Sequence, residues 1–181
     1  MIQAHRRKVV AALAFLLALP LSACTDSTSP DVTDVAAVAG TYNLTVLRFD
    51  PQGVLPDQDI LAALGMDNIE LTLTSARAAQ VVYRDPATQL FVTIQGSFRP
   101  TVEGIRLEWA ANSPYPELLF SRRMNFTFNV VPGTLVFDAE APDGVSRARL
   151  LELVPDFQGE QLLDPTPGRL RVTFARDPAL G

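Results

Sequence analysis

Between residues 40 and 176 the chain alternates apolar and polar positions in short runs. At 40–49, Tyr42, Leu44 and Val46 fall on one side and Thr41, Asn43 and Thr45 on the other. Successive strand side chains point to opposite faces, so this alternation predicts a strand with one face in a core. The pattern returns at 68–74, with Ile69, Leu71 and Leu73 inward. It returns more weakly at 78–84, which ends on the turn pair Asp85-Pro86, and again at 89–98 with Leu90, Val92 and Ile94. A hairpin connection at 100–104 leads into 104–110, with Ile105, Leu107 and Trp109 inward and Arg106 and Glu108 outward. Residues 118–131 make the longest candidate strand, with Met124, Phe126, Phe128 and Val130 on one face. Pro132-Gly133 turns the chain into 134–141, where Leu135 and Phe137 point inward, and Pro142-Asp143-Gly144 turns it into 146–154, read as a further strand. After a loop at 155–168, Leu170, Val172 and Phe174 give 169–176 its apolar face.

One segment breaks the period. Residues 56–65 carry Ile60, Leu61 and Leu64 at helical spacing, with Asp57 placed as N-cap and Gly65 as C-cap. The pattern is therefore all-β, with one short helix between the first two strands. Some 140 residues suit one core, so 40–177 reads as a single domain. Sequential strands tend to be neighbours. An antiparallel meander of eight or nine strands can close into a barrel and so remove its edges. A two-sheet sandwich is the competing arrangement.

The amino terminus follows another rule. His5-Arg6-Arg7-Lys8 is basic, and residues 9–19 are apolar. Eleven residues are too few to cross a hydrocarbon core of ~30 Å, but they suit the apolar region of an export signal. Leu21-Ser22-Ala23-Cys24 then resembles the lipobox of bacterial lipoproteins. The resemblance implies removal of residues 1–23 and diacylglyceryl and acyl chains on Cys24. Residues 24–39 would then form a lipidated, flexible tether. Two or three such chains hold a protein stably on a membrane, at roughly 0.8 kcal/mol per buried methylene. Thr25 follows the cysteine and Asp26 comes one place later, an order that leans toward the outer membrane of the cell envelope rather than the inner.

Composition excludes much chemistry. Arg6, Arg7 and Lys8 account for three of the 15 basic residues, so removing the leader leaves 12 arginines against 20 acids, a formal charge of −8. That balance argues against a nucleic-acid partner. Beyond Lys8 there is no histidine or lysine, and Cys24 is the single cysteine. Imidazole bases, Cys/His metal sets, Schiff bases and internal disulfides are therefore excluded from the domain. No cofactor is expected. A carboxylate hydrolase would need two converging acids. Glu103, Glu108, Glu117, Asp57 and Asp59 are the candidates, and strand faces or helix caps are the commoner use of acids so spaced.

Gly40-Thr41-Tyr42 resembles the Gly-x-Trp opening of lipocalins, with tyrosine replacing tryptophan, and 40–56 is similar to the opening of lipocalin-like bacterial lipoproteins. The resemblance implies a calycin-type barrel whose closed end holds the aromatic residue under an arginine of the last strand, Arg171 or Arg176. An eight-stranded barrel either fills its interior or holds one small ligand. Tyr42, Trp109, Met124, Phe126, Phe128, Phe137 and Phe174 are the candidate lining, with a packed core as the alternative. Arg122-Arg123, Arg147 with Arg149, and Arg169 with Arg171 are candidates for an anion site, or for an outer face balanced by acids. The reading is a lipid-anchored, non-enzymatic envelope protein with a small apolar or amphipathic ligand. An envelope-tethered interaction module with a filled core is the alternative.

Overall fold

A computed structural model describes residues 34–51, 55–65, 68–86, 88–129, 133–141, 143–158 and 163–177. The leader, Cys24 and Val130 lie outside the described residues. The strands are β1 (Gly40–Pro51), β2 (Gln58–Asp59), β3 (Glu70–Leu73), β4 (Ala78–Arg84), β5 (Phe91–Pro100), β6 (Gly104–Trp109), β7 (Arg123–Phe128), β8 (Thr134–Glu140) and β9 (Gly168–Arg176). From β3 to β9 each strand pairs antiparallel with the next in chain order, and β1 pairs with both β3 and β9. Eight strands thus close into a barrel, with β2 as an extra strand on the far half of β1. The barrel, not the sandwich, is the arrangement.

The long strand β1 makes closure possible. Gly40–Asn43 pair with β3, and Tyr42–Pro51 pair with β9. The register slips between Leu44 and Val46, leaving Thr45 as a bulge. One extra residue reverses the inward parity. Tyr42 and Leu44 are inward before it, and Leu47 and Phe49 after it, so Val46, expected inside, is only half-buried.

The interior is layered by pairing. Leu73, Ala79, Gly96 and Trp109 face one another across four strands. Gly96 is required there, because a Cβ would lie 2.5 Å from the Glu108 carbonyl oxygen and 2.8 Å from the Trp109 ring. Small residues at 79 and 96 give the indole its space.

Three expectations fail for physical reasons. Residues 146–154 form no strand. Arg147–Leu153 is a helix, α3, whose N-cap Ser146 accepts from the Arg149 N–H. Leu150 and Leu153 are buried at i, i+3, and the arginines, leucines and glutamate are good helix formers. The strand read over 118–131 begins only at Arg123. Before it, a 3₁₀ turn at Tyr115–Glu117 leads into buried Leu118, Leu119 and Phe120. Phe120 has a φ of +59°, which breaks any extended run. Third, the helix near 56–65 is confined to Ile60–Leu64, α2. Its N-cap is Asp59, accepting from the Ala62 N–H at 3.0 Å, not Asp57. Gly65 is the left-handed C-cap, as expected.

The two ends differ. At the lower end lie the start of β1, the ends of β7 and β9, the start of β8 and the short turns at 74–77 and 101–103. The last residues of the segment read as a tether pack here. Val35–Val38 form a helical turn, α1, capped by Asp34, and Val38 is buried. At the upper end lie the connections carrying α2, the 3₁₀ turn and α3.

Candidate functional site

At the lower end the opening triplet and the last strand meet. The Tyr42 hydroxyl donates to the Val38 carbonyl at 2.7 Å, and the Arg176 guanidinium sits 5.8 Å from the centre of the Tyr42 ring. Arg176 also donates to the carbonyls of Ala37 and Ala39. Gly40 leaves the room: with φ at +150°, a Cβ there would meet the guanidinium at 2.8 Å. Burial raises the pKa of Tyr42, and the Arg176 charge opposes that rise. Of the two arginines proposed for this place, Arg176 occupies it. Arg171 instead faces Asp57 (4.0 Å) and Asp138 (3.5 Å) on the outer surface.

The middle of the barrel is crowded with rings. Phe126 lies 5.8 Å from Phe137 and 5.9 Å from Phe174, centre to centre, in tilted arrangements. Met124 and Trp109 are wholly buried beside them. Phe128 shares the parity of this group but is 40% exposed, because β7 ends at the lower rim. Leu90, also expected inward, is 67% exposed at the tip of the β4–β5 hairpin.

The upper end is capped and carries a groove. Ile60 and Leu64 of α2, Leu118 to Phe120, and Leu150 and Leu153 of α3 are all buried there. The Phe120 ring meets Phe49 edge-on at 6.4 Å. Between the 3₁₀ turn and the start of α3 opens a pocket of about 250 Å³, lined by Pro116, Glu117, Phe120, Val145, Ser146 and Arg149. That lies just under the ~300–1,000 Å³ typical of small-molecule sites.

The pocket's polar groups converge from three elements. Arg149 Nε donates to the Glu117 carbonyl at 2.6 Å and Nη1 to Glu152 at 2.7 Å, while Nη2, itself buried, has no hydrogen-bond partner. The Tyr83 hydroxyl donates to Glu117 Oε2 at 3.4 Å. Burial, and next the Glu117 charge, push the Tyr83 pKa up to about 12, against the opposing pull of Arg149. Tyr83 therefore stays a neutral donor. A guanidinium with a spare donor beside an apolar wall suits an amphipathic anion.

The other candidates disperse. Asp57 pairs with Arg48 at 3.2 Å, Asp59 caps α2, Glu108 pairs with Arg123 at 3.2 Å, and Glu117 serves Tyr83. Asp57 and Asp59 share Arg48, while Glu108 and Glu117 are engaged elsewhere, and Asp57 keeps one oxygen unpartnered. The arginine pairs are likewise matched by acids. Arg122 and Arg123 share Glu108, Arg147 faces Asp164, and Arg169 is bonded to Asp138. Arg147 and Arg149 sit on a helix, where residues two apart do not share a face. Sequence reading missed the pocket itself, because its walls come from two segments read as strands. No protein-family model, curated protein or solved structure matches the chain.

Proposed function

We propose that this chain is a lipid-anchored, non-enzymatic envelope protein, held by Cys24 at the periplasmic face of an outer membrane. Its lipocalin-like barrel takes a small amphipathic anion at the capped end. The observation that carries the ligand reading is the unpartnered Nη2 of Arg149 at a groove walled by Phe120, Val145 and Pro116. The resemblance to lipocalins draws support from the closed barrel and from Arg176 over Tyr42. The ligand's acid group meets Arg149, and its chain covers Phe120 and Val145.

Titration of the full chain with dodecanoate, read by calorimetry, tests this. Hydrogen bonds to a charged group contribute about 1.5–3 kcal/mol, so Arg149→Gln should weaken binding at least about tenfold. Val145→Trp, which fills the groove, should abolish it. Equal affinity in all three proteins, or none in the parent, refutes the reading. A second reading, an interaction module, draws on the apolar tip formed by Leu90 and Phe91, the latter 78% exposed. A stoichiometric protein captured only when Leu90 and Phe91 are intact would favour it.

A further inference from the structure

The outer surface of β5, β6 and β7 carries more arginine than acid among the described residues, with Arg99, Arg106 and Arg123 against Glu108. Arg99 and Arg106 are direct cross-strand partners. Like charges directly opposite on a sheet repel, yet neither arginine has an ion pair or side-chain hydrogen bond among the described residues. Arg123 stands two residue pairs further up the barrel, opposite Glu108. These residues, with Ser97 and Phe98, line a surface groove of about 400 Å³. Glu108 is already shared by Arg122 and Arg123, and its pKa is lowered first by the Arg123 hydrogen bond. Arg77, exposed in the β3–β4 turn, lies at the same end, its backbone carbonyl accepting from the Phe98 N–H. Glu103 at the turn is the other acid of the β5–β6 hairpin. Asp34 and Asp177 share this end of the barrel but belong to its β1–β9 side. This surplus stands in a chain whose formal charge is −5.

The same rim is apolar at its tip. Val102 is 56% exposed in the β5–β6 turn, and the Phe128 N–H donates to the neighbouring Glu103 carbonyl, which brings partly exposed Phe128 to the same rim. Large apolar side chains in water beside unpaired guanidiniums match a bilayer surface, which offers acyl chains next to phosphates.

We propose that the lower rim of the barrel at β5–β7 rests on an anionic phospholipid surface. Val102 and Phe128 enter the interface, and Arg77, Arg99 and Arg106 meet headgroup phosphates. For the presence of a bilayer this rests on the anchoring reading. Asp34 leaves the barrel at this same end, and the ten-residue step from Cys24 to Asp34 spans at most roughly 35 Å in any conformation. An anchored barrel is therefore kept within that distance, lower rim nearest. The capped end and its groove then point away from the lipid.

Amide hydrogen exchange on the full chain tests the contact. It is carried out in nanodiscs of phosphatidylcholine, in nanodiscs with about one third phosphatidylglycerol, and in dodecyl maltoside with added inorganic phosphate. Each guanidinium at an anionic leaflet strengthens the contact about fivefold. The turn at 101–103 and the amide of Phe128 should therefore exchange at least about tenfold more slowly in the anionic discs than in the neutral ones. Arg99→Glu/Arg106→Glu should remove the difference while β1 and β9 keep their protection. Equal exchange in both discs overturns the contact. Protection by phosphate alone in detergent overturns the bilayer as occupant and leaves a free-anion site. Failure of the dodecanoate titration or of Cys24 lipidation leaves these outcomes unchanged, so the two readings fail separately.

Discussion

Whether the barrel interior is a packed core or the wall of a cavity has a measurable consequence at Phe126. Its ring is buried and touches two others, Phe137 at 5.8 Å and Phe174 at 5.9 Å. Deleting a packed phenylalanine ring costs about 3–5 kcal/mol. Two aromatic pairs, each contributing about 0.5–1.5 kcal/mol beyond area burial, place Phe126→Ala at the upper end, about 4–5 kcal/mol. With a urea slope of about 2 kcal/mol per M, the unfolding midpoint should fall by about 2 M. Trp109 reports the transition cleanly, because it is the one tryptophan in the chain and is wholly buried. A ring facing an open cavity has no partner atoms on that side and loses much less on deletion. A loss under about 2 kcal/mol with an unchanged slope would therefore refute the packed core. Phe128→Ala is the internal control: at 40% exposure on the rim, it should cost under about 1 kcal/mol.

Cys24 should carry the lipid, so growth with a palmitate analogue should label the parent chain and leave Cys24→Ser unlabelled; equal labelling of both ends the anchoring reading. Tyr83 makes stability fall on the alkaline side. Its folded pKa of about 12 exceeds the ordinary 10.0, so its contribution is complete below pH 10 and is lost as pH climbs toward 12, about 2–3 kcal/mol in all. Tyr83→Phe should flatten that part of a urea-midpoint profile, and an unaltered slope between pH 10 and 12 would show that Tyr83 is not its source.

Much of the barrel is legible because its physics is local. Period-two alternation fixes which residues of β3, β4, β6 and β9 point inward, and Ile69, Leu71, Ile105, Leu107, Val172 and Phe174 are buried as that pattern requires. It fails where one residue changes the count or the local preference. The bulge at Thr45 reverses parity, and the sequence marks it only by the adjacent apolar pair Val46-Leu47, after which Leu47, Arg48 and Phe49 alternate in the opposite phase. Arg147–Leu153 carries a local helix signal. Ser146 ahead of Arg-Ala-Arg-Leu-Leu-Glu-Leu is a cap before good helix formers, and Leu150 and Leu153 fit a helical face. Leu118-Leu119-Phe120 is a harder case. An apolar run joined to a strand pattern cannot by composition alone be told from the strand itself, and only the positive φ at Phe120 separates the two.

The unequal connections explain why the candidate ligand site lies at one end. The lower turns after β3 and β5 are four and three residues long, and such turns carry few side chains beyond those needed to reverse the chain. The upper connections at 110–122 and 141–167 can run longer at small thermodynamic cost, since loop-closure entropy grows only as the logarithm of length. Such loops must bury their own apolar residues, and Leu118, Leu119, Leu150 and Leu153 do so by closing the barrel. Closing it brings Glu117 and Arg149 from separate loops to within a hydrogen bond of 2.6 Å above Tyr83. The same packing that caps the core therefore creates the groove, and substitutions that loosen α3 should weaken ligand binding before they unfold the strands beneath.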